Sequence, residues 1–223
     1  MLRIETAGPI VHLRLNRPAK RNAINDELVA QIHTAFINLP GDARVAVISG
    51  EGEHFCAGLD LSEVSERSVA EGIVHSRAWH AAFDAVQFGP VPVIAVVHGA
   101  VVGGGLELAS AAHLRVAEAS AFYGLPEGQR GIFVGGGGSA RIPRLLGVSR
   151  MTDMMLTGRV LDAQEGQVLA ISNYLVADGQ GPAKAFELAH KIAGTRRCRT
   201  SPSRRRCRAL PTCRSPTGCS SRH

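Results

Sequence analysis

The stretch Val93-Ile94-Ala95-Val96-Val97-His98-Gly99-Ala100-Val101-Val102-Gly103-Gly104-Gly105-Leu106-Glu107 decides the fold. Its first five residues form a continuous apolar run, as expected of a strand covered on both faces. Residues 106–112 are small and apolar apart from Glu107 and Ser110, which predicts a short helix able to pack very close to its neighbours. A triple glycine between strand and helix exposes backbone N–H groups at the positive end of the helix, where they can receive a developing negative charge. Glu107 then lies one turn inside the helix. Twenty residues further on, Leu125-Pro126-Glu127-Gly128 supplies a second carboxylate. Two carboxylates flanking a polarised carbonyl conjugate form an acid/base pair.

Working outward, Ile10–Leu15 alternates Val11, Leu13 and Leu15 with His12 and Arg14, the pattern of a half-buried strand. Asn25 can cap a helix in which Leu28, Ile32, Ala35, Phe36 and Leu39 recur at helical spacing, and Pro40-Gly41 stops it. Residues 43–49 read as a strand. Much of Val69–Phe88 reads as a helix with Ile73, Trp79, Phe83 and Val86 towards the core. Residues 114–116 form a weak strand, and residues 139–146 and 151–156 two helical pieces joined at Gly147. Asp162-Ala163-Gln164-Glu165 has the form of a capping box for a helix from Ala163 towards Ala170. Tyr174–Val176 is a short strand, and Pro182 opens the last helix, over residues 182–193. Strands alternating with helices predict a layered α/β protein.

The 223 residues suffice for one substantial core, and the organisation expected is a single domain over residues 1–193 followed by a tail. The formal charge of +6 resembles a nucleic-acid signal but is not distributed like one. From Thr195 to His223 there are nine arginines, no acidic residue and four of the five cysteines. Without those arginines the chain has 16 basic and 19 acidic residues, so no basic surface is expected on the folded part. Residues 194–223, rich in Arg, Pro, Ser and Cys, are expected to be irregular. Their residue types are those that GC-rich codons specify, so a shifted frame or altered terminus is the expectation, with a genuine disordered basic arm and a metal or disulfide function as the alternatives. Cys198, Cys207, Cys213 and Cys219 match no compact zinc spacing, the histidines form no metal pattern, and no metal is expected. With Cys56 alone in the body, a reducing, cytoplasmic setting is the expectation. Arg3 and Glu5 interrupt any leader-like start, and the apolar residues 91–102 are too few to span a membrane.

Neither glycine cluster is a nucleotide loop, because Gly103–Gly105 lacks the dinucleotide spacing and Gly135–Gly138 has no following lysine. The Gly104 N–H can serve as one oxyanion donor, and the loop Ala57-Gly58-Leu59 is the best source of a second. For residues 135–138, tight turns and close helix packing compete with a functional role. His98 reads as a structural hydrogen-bonding residue, Cys56 as a small buried filler, and Trp79 as either a core residue or a substrate-lid anchor.

With these residues in place, the chain resembles the enoyl-CoA hydratase/isomerase, or crotonase, superfamily over roughly residues 1–193. The likeness is carried by Leu15-Asn16-Arg17-Pro18, Asn22-Ala23-Ile24, Phe55-Cys56-Ala57-Gly58-Leu59-Asp60-Leu61, the stretch from His98 to Ala109, Phe122-Tyr123-Gly124-Leu125-Pro126-Glu127 and Leu156-Thr157-Gly158-Arg159. The resemblance implies a spiral core of repeated β-β-α units, a coenzyme A thioester as substrate with no separate cofactor, and homotrimers or hexamers. It assigns the oxyanion amides to Leu59 and Gly104, the catalytic carboxylates to Glu107 and Glu127, and the adenine end of the coenzyme to Ala57, Asp60 and Leu61. The chain departs from the pattern at Val134, where many relatives carry proline, and beyond Gly194, where relatives continue through helices that cover the acyl pocket.

Both glutamates being present, the expected activity is that of a lyase hydrating the C2=C3 bond of a trans-2-enoyl-CoA. Isomerase, decarboxylase or hydrolase chemistry on the same thioester clamp is the alternative among enzymes. A truncated, catalytically impaired member that only assembles is another alternative, and nucleic-acid binding by the arginine tail is a third of different class. No nucleic-acid or membrane partner is expected.

Overall fold

The computed structural model describes residues 1–63 and 68–195. The expected irregular tail lies, from residue 196 onward, outside the described residues. Two sheets organise the described residues. The larger is built from β1 (Leu2–Ala7), β2 (Ile10–Leu15), β3 (Val45–Gly50), β4 (Val93–Val97), β6 (Leu114–Glu118) and β9 (Tyr174–Val176), in that spatial order. Only the β1–β2 pair in it is antiparallel. The smaller sheet holds β5 (Ala100–Val102), β7 (Phe122–Gly124) and β8 (Leu161–Asp162). The helices are α1 (Asp26–Ile37), α2 (Val69–Phe88), α3 (Gly104–Ala111), α4 (Gly138–Leu146), α5 (Val148–Thr157), α6 (Ala163–Val168) and α7 (Gly181–Gly194).

The chain moves from the large sheet to the small one and then into a helix, repeatedly. β4 passes to β5 and then α3, and β6 passes to β7 in the same way. After β3, Cys56 makes a single parallel bridge to Val101, so the segment leading to α2 repeats the pattern with a residual strand. This is the crotonase-like spiral of β-β-α units that the sequence led us to expect.

The apolar run of β4 is explained by its two covers. Ile94 and Val96 face the core shared with Ala185, Leu188 and Ala189 of α7, whereas Val93, Ala95 and Val97 face the main core with α1 and α2. Each such side chain, fully buried, contributes roughly 1.5–3 kcal/mol when it is Val, Leu, Ile or larger. Asn25 caps α1 by accepting from the Leu28 amide at 3.0 Å. Asp162 and Glu165 form the reciprocal capping box of α6, as their spacing predicts.

The structure differs from the sequence reading at several places. β1 carries no sequence signal of burial, since every residue after Leu2 is exposed; antiparallel pairing with β2 through the Gly8-Pro9 turn forms it. Ile73 is 49% exposed rather than in the core, because α2 meets the core only from Trp79 through Ala82, Phe83 and Val86. α6 ends at Val168 instead of reaching Ala170, which takes a φ of 64°. The weak strand at 114–116 extends to Glu118, and β5 and β7 were too short to show a period.

Arg115, buried on β6, donates to the Ala109 and Ala112 carbonyls at the end of α3 and to the Ile171 carbonyl. Its bond to Ala112 O satisfies a carbonyl at the helix end, and together these bonds fix the helix that carries Glu107. Among the described residues no helix is long and apolar enough to cross a membrane.

Candidate active site

The loop between β3 and α2 runs beside β5. The Cys56 N–H donates to Ala100 O at 2.9 Å and Cys56 O accepts from the Val102 N–H at 3.1 Å, which carries Gly58 against the start of α3. On its other side the Ile24 N–H donates to Gly58 O at 2.7 Å, and the Asp60 N–H to Ile24 O at 2.9 Å. In a trans peptide the C=O and the following N–H point in opposite directions. With Gly58 O fixed on Ile24, the Leu59 N–H must therefore point away from Ile24. The same reasoning applies at α3, where Gly103 O accepts from the Glu107 N–H at 2.9 Å, so the Gly104 N–H points out of the helix end.

The two amides meet. A Cβ built on Gly104 would lie 3.7 Å from the Leu59 nitrogen, and one built on Gly58 would lie 3.5 Å from the Gly104 nitrogen. Among the described residues neither amide donates to a protein acceptor. Glycine is required at position 58 for two reasons, a φ of +95° and a site for Cβ only 2.8 Å from Val102 O.

Glu107 is 3% exposed, and its Oε2 accepts from the Gly136 N–H at 2.8 Å and the Gly138 N–H at 2.7 Å. Those donors belong to the four-glycine segment that opens α4. Close approach explains the glycines, since a Cβ at Gly138 would lie 2.6 Å from Glu107 Cγ. Burial is the largest influence on the Glu107 carboxyl and pushes its pKa up to about 7, against the two N–H bonds; the like charge of Glu127 adds to the rise. Glu127, which follows β7, is 6% exposed. Its Oε1 borders Gly103, and its buried Oε2 has no hydrogen-bond partner among the described residues. Burial raises this carboxyl as well.

The residues expected at the coenzyme end lie on one loop but differ in setting. Ala57 is half-buried, and Leu61 is exposed at the start of a 3-10 turn. Asp60 is buried, and its carboxylate accepts from Arg17 Nη2 at 2.9 Å and from the Ser62 amide and hydroxyl. Hydrogen bonding by Ser62, with Arg17 beside it, holds its pKa below the usual range. Arg17 also donates to Ala23 O at 2.6 Å, so this ion pair ties the Asn16-Arg17-Pro18 turn to the loop that presents Leu59. The side chain of Asp60 is thus committed to the protein.

Two contributors were not assigned from sequence. The Gly135–Gly138 segment is the cradle of Glu107, and four glycines before a helix are the signal that could have revealed a donor nest. Trp79, left open as core or lid, packs its six-membered ring against Gly104, with ring carbons 2.9 and 3.3 Å from a Cβ built there, and edge-on to Phe83. Cys56 is fully buried with its thiol pushed up to about 12 by desolvation, in keeping with a packing role. His98 bonds Gly52 O at 3.0 Å, a structural contact.

A β-β-α spiral that sets two buried glutamates near a pair of backbone donors has the architecture of the crotonase superfamily. The chain belongs to the enoyl-CoA hydratase/isomerase family, whose profile matches residues 5–201. It is 38% identical over 193 residues to human enoyl-CoA hydratase domain-containing protein 2, mitochondrial, an alignment covering 84% of this chain and 66% of that one. A crystal structure from Rhodopseudomonas palustris assigned to the enoyl-CoA hydratases superposes with a TM-score of 0.85 at 57% identity, covering 87% of this chain and 76% of that one. The enoyl-CoA hydratase of Bacillus anthracis gives 0.81 at 33% identity, covering 87% and 77%. The chain thus spans just under two thirds of the human protein's length. The expectation of a cytoplasmic protein is overturned by these comparisons, because the human relative and its bovine and mouse counterparts are mitochondrial proteins by name. Cysteine usage failed as a guide because it reports redox conditions, and a reducing compartment is not one address.

Proposed function

We propose that this chain is a lyase that adds water across the C2=C3 bond of a trans-2-enoyl-CoA, giving a 3-hydroxyacyl-CoA. The observation that carries the reading is the pair of buried carboxylates, Glu107 and Glu127, beside the Leu59 and Gly104 amides. The amides receive the thioester oxygen as water attacks C3 and charge moves onto it, each donor contributing about 3–4 kcal/mol to the transition state. Glu107 orients the water and takes its proton, while Glu127 delivers a proton to C2. The product exceeds the substrate by one water, and proton return from Glu107 to Glu127 resets the pair. Ala57, Asp60 and Leu61 serve the adenine end of the coenzyme, Asp60 by holding the loop through Arg17. Residues 1–193 act as a single acyl-CoA-binding core. Assembly into trimers or pairs of trimers, readable by light scattering, belongs to the same proposal and would cover exposed Phe133, Val148, Leu156 and Val168.

The test is loss of the conjugated-enoyl absorbance on mixing the protein with trans-2-enoyl-CoA substrates of several chain lengths; no loss with any of them rejects hydration. The pH profile gives a second check. Glu107 must be ionised and its pKa lies at about 7, so kcat/KM should rise with pH up to that point. Glu127 must be protonated at the same time, so the profile should be bell-shaped, with limbs that belong to the coupled pair of carboxyls. Glu127→Gln should lower turnover by about 10²–10⁴ and abolish the alkaline fall. A Glu127→Gln protein with unchanged turnover would take Glu127 out of the chemistry.

A further inference from the structure

We infer that Arg141 is a positioning residue that holds Glu107 in place through the glycine segment, although it touches neither Glu107 nor the reacting atoms. This rests on the reading of Glu107 as general base. Arg141 is 7% exposed on the first turn of α4. Its Nη1 donates to Gly136 O at 2.6 Å, its Nε to Gln87 Oε1 at 2.7 Å, and its Nη2 to Asp84. Asp84 and Gln87 lie three residues apart on α2, so they face the same way and fix the guanidinium plane. The fixed fork then pins the peptide joining Gly136 to Gly137. That peptide lies between the two whose N–H groups hold Glu107 Oε2, those of Gly136 and Gly138.

The need for such a pin follows from composition. Four consecutive glycines have more backbone freedom than any other four residues, and their ordering must be secured from outside the segment. Arg141 secures it by tying the segment to α2, a helix anchored in the core by Trp79, Phe83 and Val86. Phe83 itself abuts Gly136, with ring carbons 2.6 and 2.7 Å from a Cβ built there, so the same helix supplies both the polar and the apolar wall. Lysine cannot reproduce this, since one ammonium cannot reach three separate acceptors in a plane.

The charged and titratable groups about Glu107 are Glu127 beyond β7, Arg141 on α4, and His80 and Asp84 on α2, with His80 Nδ1 and Arg141 Nη1 both against Gly137. Loss of Arg141 releases the two N–H donors and removes a positive charge, and both changes favour the protonated carboxyl. Arg141→Ala should therefore lower kcat by about 10²-fold with little change in KM, as a misplacement of about 1 Å does. It should also move the acid limb of kcat/KM up by about one pH unit. Arg141→Lys should recover part of the limb position, through its charge, but little of kcat. Gln87→Ala, which removes one of the three anchors and leaves the charge, should lower kcat less and serves if Arg141→Ala does not fold. A purely structural role would lower the melting temperature while leaving the limb and kcat of the folded fraction unmoved, and that result overturns the proposal. Glu107→Gln separates the two readings. If it retains full activity, the assignment of the base fails; if it is inactive while both Arg141 variants and Gln87→Ala keep parental kcat and pH profile, only the role of Arg141 fails.

Discussion

Glu107→Gln is expected to yield a protein that hydrates enoyl-CoA about 10²–10⁴ times more slowly, yet is more stable than the parent at pH 8. The activity falls because an amide cannot take the proton of the attacking water. The stability rises because the parent buries a charge. Its carboxyl has a folded pKa of about 7 against an ordinary 4.5, so the folded state holds the proton more tightly than the unfolded chain. The sign follows from linkage: the parent has this stabilisation in full below pH 4.5 and loses it as the pH rises through 7. Above that range the ionised carboxylate costs up to ~3 kcal/mol relative to a neutral group. Glutamine can leave its carbonyl oxygen on the Gly136 and Gly138 amides, so the cradle stays occupied. Denaturation of both proteins at pH 5 and pH 8 is the measurement. The variant should lead at pH 8 and the gap should close towards pH 5; a variant less stable than the parent at pH 8 would contradict this account of the buried charge.

The second large effect is expected at Gly58→Ala. A φ of +95° strains any L-residue, and the added methyl would sit 2.8 Å from Val102 O, a backbone atom that has nowhere to go. Relief requires the 56–60 loop to lift from the start of α3, which separates the Leu59 amide from the Gly104 amide. Loss of one oxyanion donor lowers kcat by about 10²–10³, so the variant should lose at least that much. Backbone strain of this kind costs about 1–3 kcal/mol, so a lower melting temperature should accompany the loss. Circular dichroism ensures that the rate is read on folded protein. Full turnover in a folded Gly58→Ala protein would show that the thioester oxygen is not held between these two amides.

The legibility of the molecule from its sequence follows the range of the interactions involved. Asn25 and the Asp162–Glu165 pair announced their helices because a cap bonds an amide two or three residues away. The double cover of β4 was readable because a strand buried on both sides has no polar residue to reveal. Glu107 and Glu127 stand out as candidates because each is tied to a local turn, the triple glycine in one case and Leu125-Pro126 in the other. Ile73 was misjudged for the complementary reason: helical periodicity gives a face, but not how far along the helix the core extends. The glycines at 135–138 were ambiguous alone, since a donor nest and a tight turn use the same residue.

Chain-local chemistry therefore determined the alternation of main strands and helices, the two candidate carboxylates and the exposed amides at the start of α3, while the spiral class of fold followed from the resemblance of the motifs. Tertiary structure alone decided what these groups face. The Leu59 amide is aimed by Ile24, Glu107 is cradled 31 residues further along at Gly138, and Asp60 is claimed by Arg17, 43 residues earlier. β1 exists only because β2 is there to pair with it. None of these partners leaves a period or a cap signature, because a hydrogen bond between distant segments constrains the packed chain and not the sequence near either end.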